Sequence, residues 1–392
     1  MENLSNNTPR QSQELAAPTF TELSEVASIG NNGSILFATD DWFAPAEWML
    51  KDSEPVFLAD RYTAFGKWMD GWETRRKRTP GHDWCLVELG APTQIAGFMV
   101  DTAFFTGNYA PRVSIQGGTL DATMKRMLLT SIPRQADGGN IGTGRTMEEL
   151  GMVELIGTNR WDVLVPRSQL NPGYEQTRRH YFTVSKGKQS LAVSHLRVNM
   201  YPDGGIARLR VYGTIRLNMH DSLFLKKSID MVAMLSGGRC TGFSNAHYGH
   251  PRNLIKPGTA VNMGDGWETA RRLDRPPVLQ VNEAGILQVP GCEWATFKLG
   301  APEGCWIERV CIDTAHFKGN FPDNVQVEYA CKGEAANVWS LLMEKKKLGP
   351  DRMHVFEGKE FLPQEKPASL VRITIAPDGG LARVRMFGTL TK

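Results

Sequence analysis

Two short blocks carry the residue types best suited to proton transfer and anion binding: Asp70-Gly71-Trp72-Glu73-Thr74-Arg75-Arg76 and Asp265-Gly266-Trp267-Glu268-Thr269-Ala270-Arg271-Arg272. In each, a carboxylate stands just ahead of two guanidinium groups. A guanidinium fork grips a carboxylate through paired hydrogen bonds, and a carboxyl group with a tuned pKa can move a proton. The same residues also have plainer uses. Asp-Gly makes a corner, Trp packs against a core, and an Arg pair is a solvated charge run or the partner of a nearby acid. Lys77 and Arg78 fit the charge-run reading, since the second block has Asp274 nearby instead.

Histidine supplies a second kind of candidate. Gly81-His82-Asp83-Trp84 returns as Gly291-Cys292-Glu293-Trp294, and His316 stands where the first copy has Phe104. An imidazole can act as acid or base near neutral pH, or simply sit on the surface. His247-Tyr248-Gly249-His250 lacks a further Cys or His at zinc-like spacing, so no metal is expected there, and a carboxylate-rich oxygen site stays open only because Asp and Glu are spread across the loops. No phosphate-binding glycine loop, nucleophile elbow or dinucleotide fingerprint occurs, which excludes nucleotide chemistry and leaves no cofactor expected.

The elements that position these residues follow from a repeat. Five blocks recur in the same order, among them Asp101–Asn108 as Asp313–Asn320 and Pro202–Arg208 as Pro377–Arg383. That is a tandem duplication. Short runs rich in β-branched residues (Leu86–Leu89, Ile95–Val100, Arg112–Gln116) and alternating runs (His195–Met200, Ala207–Tyr212) predict strands. Pro-Asp-Gly-Gly between the last two predicts a hairpin turn. A buried Arg–Asp brace is expected from Asp203 and Asp378 with Arg208 and Arg383. Residues 119–160 are longer than their counterpart and suggest one short helix near 146–151, while Leu273–Pro290 is an insertion of the second copy.

The 392 residues, 41% hydrophobic and 22% charged with net charge +3, describe an ordinary globular chain with no nucleic-acid surface. No apolar run is long enough for a membrane span. The six cysteines, without a CxxC, read as reduced thiols. The expected organisation is a disordered arm over 1–29, copies at 30–215 and 228–392, and a linker at 216–227. The order of features, a loop with Asp-Gly, a Trp-led strand and a closing strand ending in Tyr-Gly or Phe-Gly, resembles the galactose-binding-like (discoidin-like) jelly roll. The predicted fold is thus all-β, two such sandwiches in tandem.

More specific still, Phe37–Pro45, Phe65-Gly66-Lys67-Trp68-Met69 leading into Asp-Gly-Trp-Glu-Thr-Arg-Arg, Gly-His-Asp-Trp, Pro-Asp-Gly-Gly-Ile-Ala-Arg-Leu-Arg and Gly242-Phe243-Ser244-Asn245 together resemble the allantoicase family, from about Ile35 to Gly388. That resemblance implies hydrolysis of allantoate to ureidoglycolate and urea in purine breakdown. On it, Glu73 or Glu268 is the expected acid–base group, assisted by His82 or His316. Arg75, Arg76, Arg271 and Arg272 are expected to bind substrate, and one composite site is favoured because the histidines make the copies unequal. Two other readings stand beside it: a non-catalytic tandem carbohydrate-binding or interaction module, with Trp42, Trp48 and Trp68 as its exposed aromatics, and a family member that has lost activity. The expected partner is a small molecule, with no nucleic acid or membrane, and self-association is anticipated from open sheet edges. The chain ends in Thr389-Leu390-Thr391-Lys392 rather than Ser-Lys-Leu, so the cytosol is the expected compartment, with the peroxisome left open.

Overall fold

The short β-branched runs assemble into two β-sandwiches, one per copy. The computed structural model describes residues 17–135, 139–217, 228–334 and 338–390. In the second copy one sheet runs in the order Arg239–Phe243, Glu293–Lys298, Ala368–Ala376, Asn324–Cys331, Ser340–Lys347. The other runs Ile229–Asp230, Arg383–Thr389, Trp306–Asp313, Met353–Glu357. Alternation places the core: in Ala368–Ala376, Val371, Ile373 and Ile375 point inward, while Arg372 points out and pairs with Glu328. Each fully buried aliphatic side chain of this kind stabilises by roughly 1.5–3 kcal/mol.

The first copy repeats both orders with one change. The runs at Leu86–Leu89 and Ile95–Val100, expected as separate strands, are parts of a single 19-residue strand, Asp83–Asp101. Its first half pairs with Ala192–Tyr201 and its second with Arg208–Ile215, so the two sheets are joined. The second copy has two more residues in the corresponding connection, and Gly304 at φ 95° turns the chain there.

The Pro-Asp-Gly-Gly turns do not close hairpins. Ala192–Tyr201 and Arg208–Ile215 lie in different sheet halves, as do Ala368–Ala376 and Arg383–Thr389. Gly205–Ile206 pairs instead with Trp72–Glu73, and Gly380–Leu381 with Trp267–Glu268, which carries the chain across to the opposite sheet. Gly204 (φ 128°) and Gly379 (φ 132°) supply the bend.

Residues 119–160 form two helices rather than one. Met147–Glu154 is where the sequence placed it, with Thr146 and Glu149 in a reciprocal capping box. Ala122–Ser131, capped by Asp121, was not anticipated. Leu128, Ile132 and Val153 from this insertion cover Phe37, Trp84 and Leu86 on the outer face of the sheet. The insertion at Leu273–Pro290 is a small hairpin, Gln280–Val281 with Leu287–Gln288.

The arm is shorter than expected. Residues 17–29 belong to the first sandwich: Ser24–Glu25 pairs with Tyr212–Gly213, and Phe20 is buried. Residues 1–16 of the arm and 218–227 of the linker lie outside the described residues. The two copies pack together, since one continuous buried cluster holds Val26 and Ala27 of the first with Met231 and Val232 of the second. Glu22 pairs with Arg252 across the seam at 3.3 Å.

All six cysteines are free thiols, with Cys292 exposed and Cys85, Cys305 and Cys311 buried. Burial pushes the Cys305 thiol up to about 12. Alkylation of the native protein at pH 8 is therefore expected to modify Cys292 first, read by peptide mass; early labelling of Cys85 or Cys305 would show that the cores open. Among the described residues no helix is long and apolar enough to cross a membrane.

Candidate active site

Glu73 lies in a two-residue strand built from three distant segments. It pairs with Gly205 on one side and with Ala44 on the other. Trp72 beside it is fully buried and donates its Nε1–H to the Asp40 carbonyl. The second copy repeats this frame: Glu268 pairs with Gly380 and Gly249, and Trp267 donates to the Asn245 carbonyl. The tryptophans therefore fill the structural role expected of them.

Each glutamate has a carboxamide partner that sequence reasoning did not single out. Asn108 Nδ2 donates to Glu73 Oε1 at 2.5 Å, and Asn320 Nδ2 donates to Glu268 Oε1 at 2.6 Å. Both asparagines close repeated blocks, so the signal was present; an Asn after Gly reads as turn chemistry. Four residues before each, Phe104 (φ 66°) and His316 (φ 71°) occupy the left-handed region. That conformation is costly for side chains of this size. Backbone hydrogen bonds hold the corner, from Phe104 N–H to the Gly173 carbonyl and from His316 N–H to Asp351 Oδ1.

The two acids face different surroundings. Glu73 is 8% exposed and opens into a cavity of about 330 Å³ walled by Phe43, Phe57, Met69 and Phe104, with Lys67, Thr106 and Asn108 as its other polar groups. Burial pushes its carboxyl up to about 7, which the Asn108 hydrogen bond only partly opposes. Lys67 sits 4.7 Å over the Phe57 ring and, among the described residues, has no acidic partner. Lys67 and Phe57 come from a loop found only in the first copy: eighteen residues separate Lys51 from Asp70, against eight between the equivalent Lys256 and Asp265. Phe57 stacks on Phe104 at 5.6 Å, which roofs the cavity.

The base of that loop is tied down at Asp70, three residues before Glu73. Lys51 Nζ, Val56 N–H and Arg208 Nη2 all donate to its carboxylate, at 2.6, 3.0 and 2.6 Å. Burial alone would raise the Asp70 carboxyl, but the Lys51 and Arg208 bonds hold it below its ordinary value. Arg208 thus braces Asp70 and not Asp203, as Arg383 braces Asp265. Asp203 instead accepts the Lys77 N–H and Asp378 the Arg272 N–H.

Those last contacts revise the matching of the arginines. Arg75 N–H donates to Asp40 and Ala270 N–H to Asn245, so the counterparts are Arg75 with Ala270, Arg76 with Arg271 and Lys77 with Arg272. Arg75 pairs with Asp40 over the Trp42 ring, and Arg272 pairs with Asp274 and Glu293. Arg76 and Arg271 form no ion pair among the described residues.

Glu268 opens on the side of the Pro377-Asp378-Gly379 turn, into a cavity of about 650 Å³ that also includes Arg271, His247 and Tyr248. It shares no lining residue with the Glu73 cavity, so the two glutamates open into separate cavities. His82 lies outside both: its ring packs on Tyr201 at 4.4 Å and hydrogen-bonds Asn199 Oδ1 at 3.0 Å, and burial lowers its pKa. His316 Nε2 donates to the Ala260 carbonyl at 2.9 Å. Trp68 is buried and Trp42 and Trp48 are partly so, which leaves Phe57, Tyr62, Phe65 and Phe104 as the exposed aromatics of this rim. Among the described residues no three His, Cys, Asp or Glu side chains converge as a metal ion would need.

Known proteins share this arrangement of copies. The family model described as "Allantoicase repeat" matches residues 24–216 and again 229–391. A probable allantoicase of Acinetobacter baumannii (strain AYE) is 37% identical over 393 residues, spanning 96% of this chain and 99% of that one. The crystal structure of allantoicase from Saccharomyces cerevisiae is 32% identical with a TM-score of 0.66, over 93% of this chain and 92% of that one. A second allantoicase structure is 31% identical with a TM-score of 0.65, over 94% and 93% of the two chains.

Proposed function

The chain belongs to the allantoicase family, and we propose that it hydrolyses allantoate to ureidoglycolate and urea at the Glu73 cavity. It is a hydrolase of non-peptide C–N bonds in linear amidines. One observation carries the choice of cavity: a buried carboxyl poised near pH 7 shares an aromatic-walled cavity with an ammonium that has no acidic partner among the described residues. Allantoate is an anion whose central carbon bears a carboxylate and two ureido groups, so it needs both.

In this reading Lys67 holds the substrate carboxylate. Arg76, three residues beyond Glu73 and without an acidic partner among the described residues, adds to the positive field that draws the anion in. Protonated Glu73 gives its proton to the nitrogen of the departing ureido group. The C–N bond breaks as the lone pair on the remaining ureido nitrogen forms a C=N bond to the same carbon, and urea leaves. Water then adds to that carbon and its proton passes to the Glu73 carboxylate, which restores the starting acid. Asn108 engages Oε1, so Oε2 is the oxygen left to carry the proton. The walls of Phe43, Phe57 and Phe104 keep the carboxyl desolvated and thereby neutral enough to donate.

The direct test is incubation of the purified protein with allantoate, with one urea expected per allantoate consumed; no urea release would reject the assignment. Lys67→Ala is expected to raise KM for allantoate roughly 10- to 100-fold, the value of a charge-assisted hydrogen bond, with a smaller change in kcat. Lys67→Arg is expected to recover part of it. An unchanged KM in Lys67→Ala would remove the lysine from the site.

A further inference from the structure

The helical insertion belongs to the first copy alone. Forty-three residues lie between Gly118 and Asp162, against eight between the equivalent Cys331 and Ser340. Beyond its helices the insertion grips the segment from Thr39 to Glu47. Arg134, its side chain 5% exposed, donates Nη1 and Nη2 to the fully buried Asp41 carboxylate at 3.0 Å each. Its Nε and Nη2 donate to Glu47 at 2.6 and 2.8 Å, and Asn140 Nδ2 donates to Glu47 at 3.3 Å. The backbone is tied in the same place. Asp41 N–H donates to the Thr143 carbonyl, Gly142 N–H to the Trp42 carbonyl and Arg145 N–H to the Thr39 carbonyl.

Glu73 depends on that segment. Ala44 exchanges both backbone hydrogen bonds with it, at 3.0 and 3.2 Å, and Phe43 is a wall of its cavity. The duplication supplies a comparison. Asn245 and Gly249 stand for Asp40 and Ala44, which sets Ala246 opposite Asp41 and Arg252 opposite Glu47. The arginine and both acids thus occur together in the copy whose glutamate is buried, and none has its counterpart where the glutamate is half-buried. We propose that Arg134 is a positioning residue for the reaction at Glu73, clamping Thr39–Glu47 so that Phe43 and the Ala44 pairing keep the carboxyl out of water. This rests on the reading above in taking Glu73 as the acid. Arg134 does not line the cavity, so it acts through the segment it holds. Lys67 shares the cavity, while Asp40 with Arg75 and Asp70 with Lys51 and Arg208 are paired beside it. Burial raises the Glu73 carboxyl and the Asn108 bond opposes it, and among the described residues no charged group adds to either. Loosening the clamp therefore lets in water and lowers the carboxyl toward its ordinary value.

The test is Arg134→Met combined with Asp41→Asn, which removes one charge of each sign and leaves Glu47 partly exposed to water. The falling limb of kcat should move down from about 7 by at least one pH unit, so that kcat at pH 8 drops about tenfold or more. KM, which Lys67 sets, should change by about threefold or less. Arg134→Lys, which can hold one acid, should recover part of the shift. If the double variant does not fold, Glu47→Gln decides, since it keeps the Arg134–Asp41 pair. Its limb should move down by a fraction of a unit, at high salt too, where direct charge effects are screened. An unmoved limb in the folded variant overturns the proposal, whatever happens to the melting temperature. Carboxyl NMR, with Glu73→Gln to assign the signal, reads the same shift without turnover. A Glu73 carboxyl raised in wild type and lowered in the variant, in a protein that releases no urea, would support the clamp while rejecting the hydrolytic reading.

Discussion

Glu73→Gln is expected to lower kcat for urea release by roughly 10²- to 10⁴-fold, the usual worth of a general acid–base group. The substitution keeps the oxygen that accepts from Asn108 and changes no volume, so the loss would belong to the proton. Two further readouts separate this from damage to the fold. In the wild type the active form is the protonated one, so activity should fall as pH rises past about 7, and that limb should be missing from the variant's residual rate. Stability should fall with rising pH as well. The Glu73 pKa rises from 4.5 unfolded to about 7 folded, so the folded state holds the proton more tightly. Its contribution is complete below about 4.5 and is lost as pH climbs to about 7. Glutamine has no charge to bury, and the variant should denature later than wild type at pH 8. Glu268→Gln is the control at the equivalent position, with an expected loss under tenfold. Equal losses in the two variants would move the chemistry away from Glu73.

Arg208→Ala is expected to destabilise the first copy by about 3–5 kcal/mol, the cost of stranding one half of a buried ion pair. Arg208 is 1% exposed and donates to Asp70 and to the carbonyls of Ser53, Trp48, Asp70 and Ala207. Its loss leaves Asp70 buried with Lys51 as its one remaining cation, and several carbonyls unbonded. Arg208→Met combined with Asp70→Asn should cost less than Arg208→Ala alone, because the charge then left at the site, on Lys51, is partly exposed to water. Both variants loosen the base of the loop that carries Phe57 and Lys67, so kcat/KM should fall even where the chain still folds. Denaturation curves and urea release measured together check this. A variant as stable as wild type would show that the brace is dispensable.

The frame of the molecule was legible because it is written twice. Blocks that recur in order revealed the duplication, and alternation within them revealed the strands. The glutamates were legible for the same reason. Lys67 was not, since it lies in a loop with no second copy, and its meaning depends on that loop folding back over Glu73. The arginine pairs were matched by residue type, Arg-Arg on Arg-Arg, whereas the chain is positioned by Asp40 and Asn245, which set Arg75 opposite Ala270. The closing turns carried the residues of a hairpin, and only the long-range pairing of Gly205 with Glu73 shows that they cross between sheets. Of the helical insertion, the capping residues at Thr146 and Glu149 could be read, while Ala122–Ser131 carried no comparable sign beyond Asp121.

The single strand Asp83–Asp101 also makes the copies mechanically different. In the second copy a turn at Gly304 separates the sheets, so each is expected to open independently, which amide hydrogen exchange would read. In the first, the two sheets share a continuous rail, so they are expected to open as one cooperative unit. The Glu73 carboxyl belongs to the short strand that pairs with the turn between those sheets. Duplication thus left one copy with a continuous strand beside the smaller cavity, and the other with a jointed connection beside the larger one.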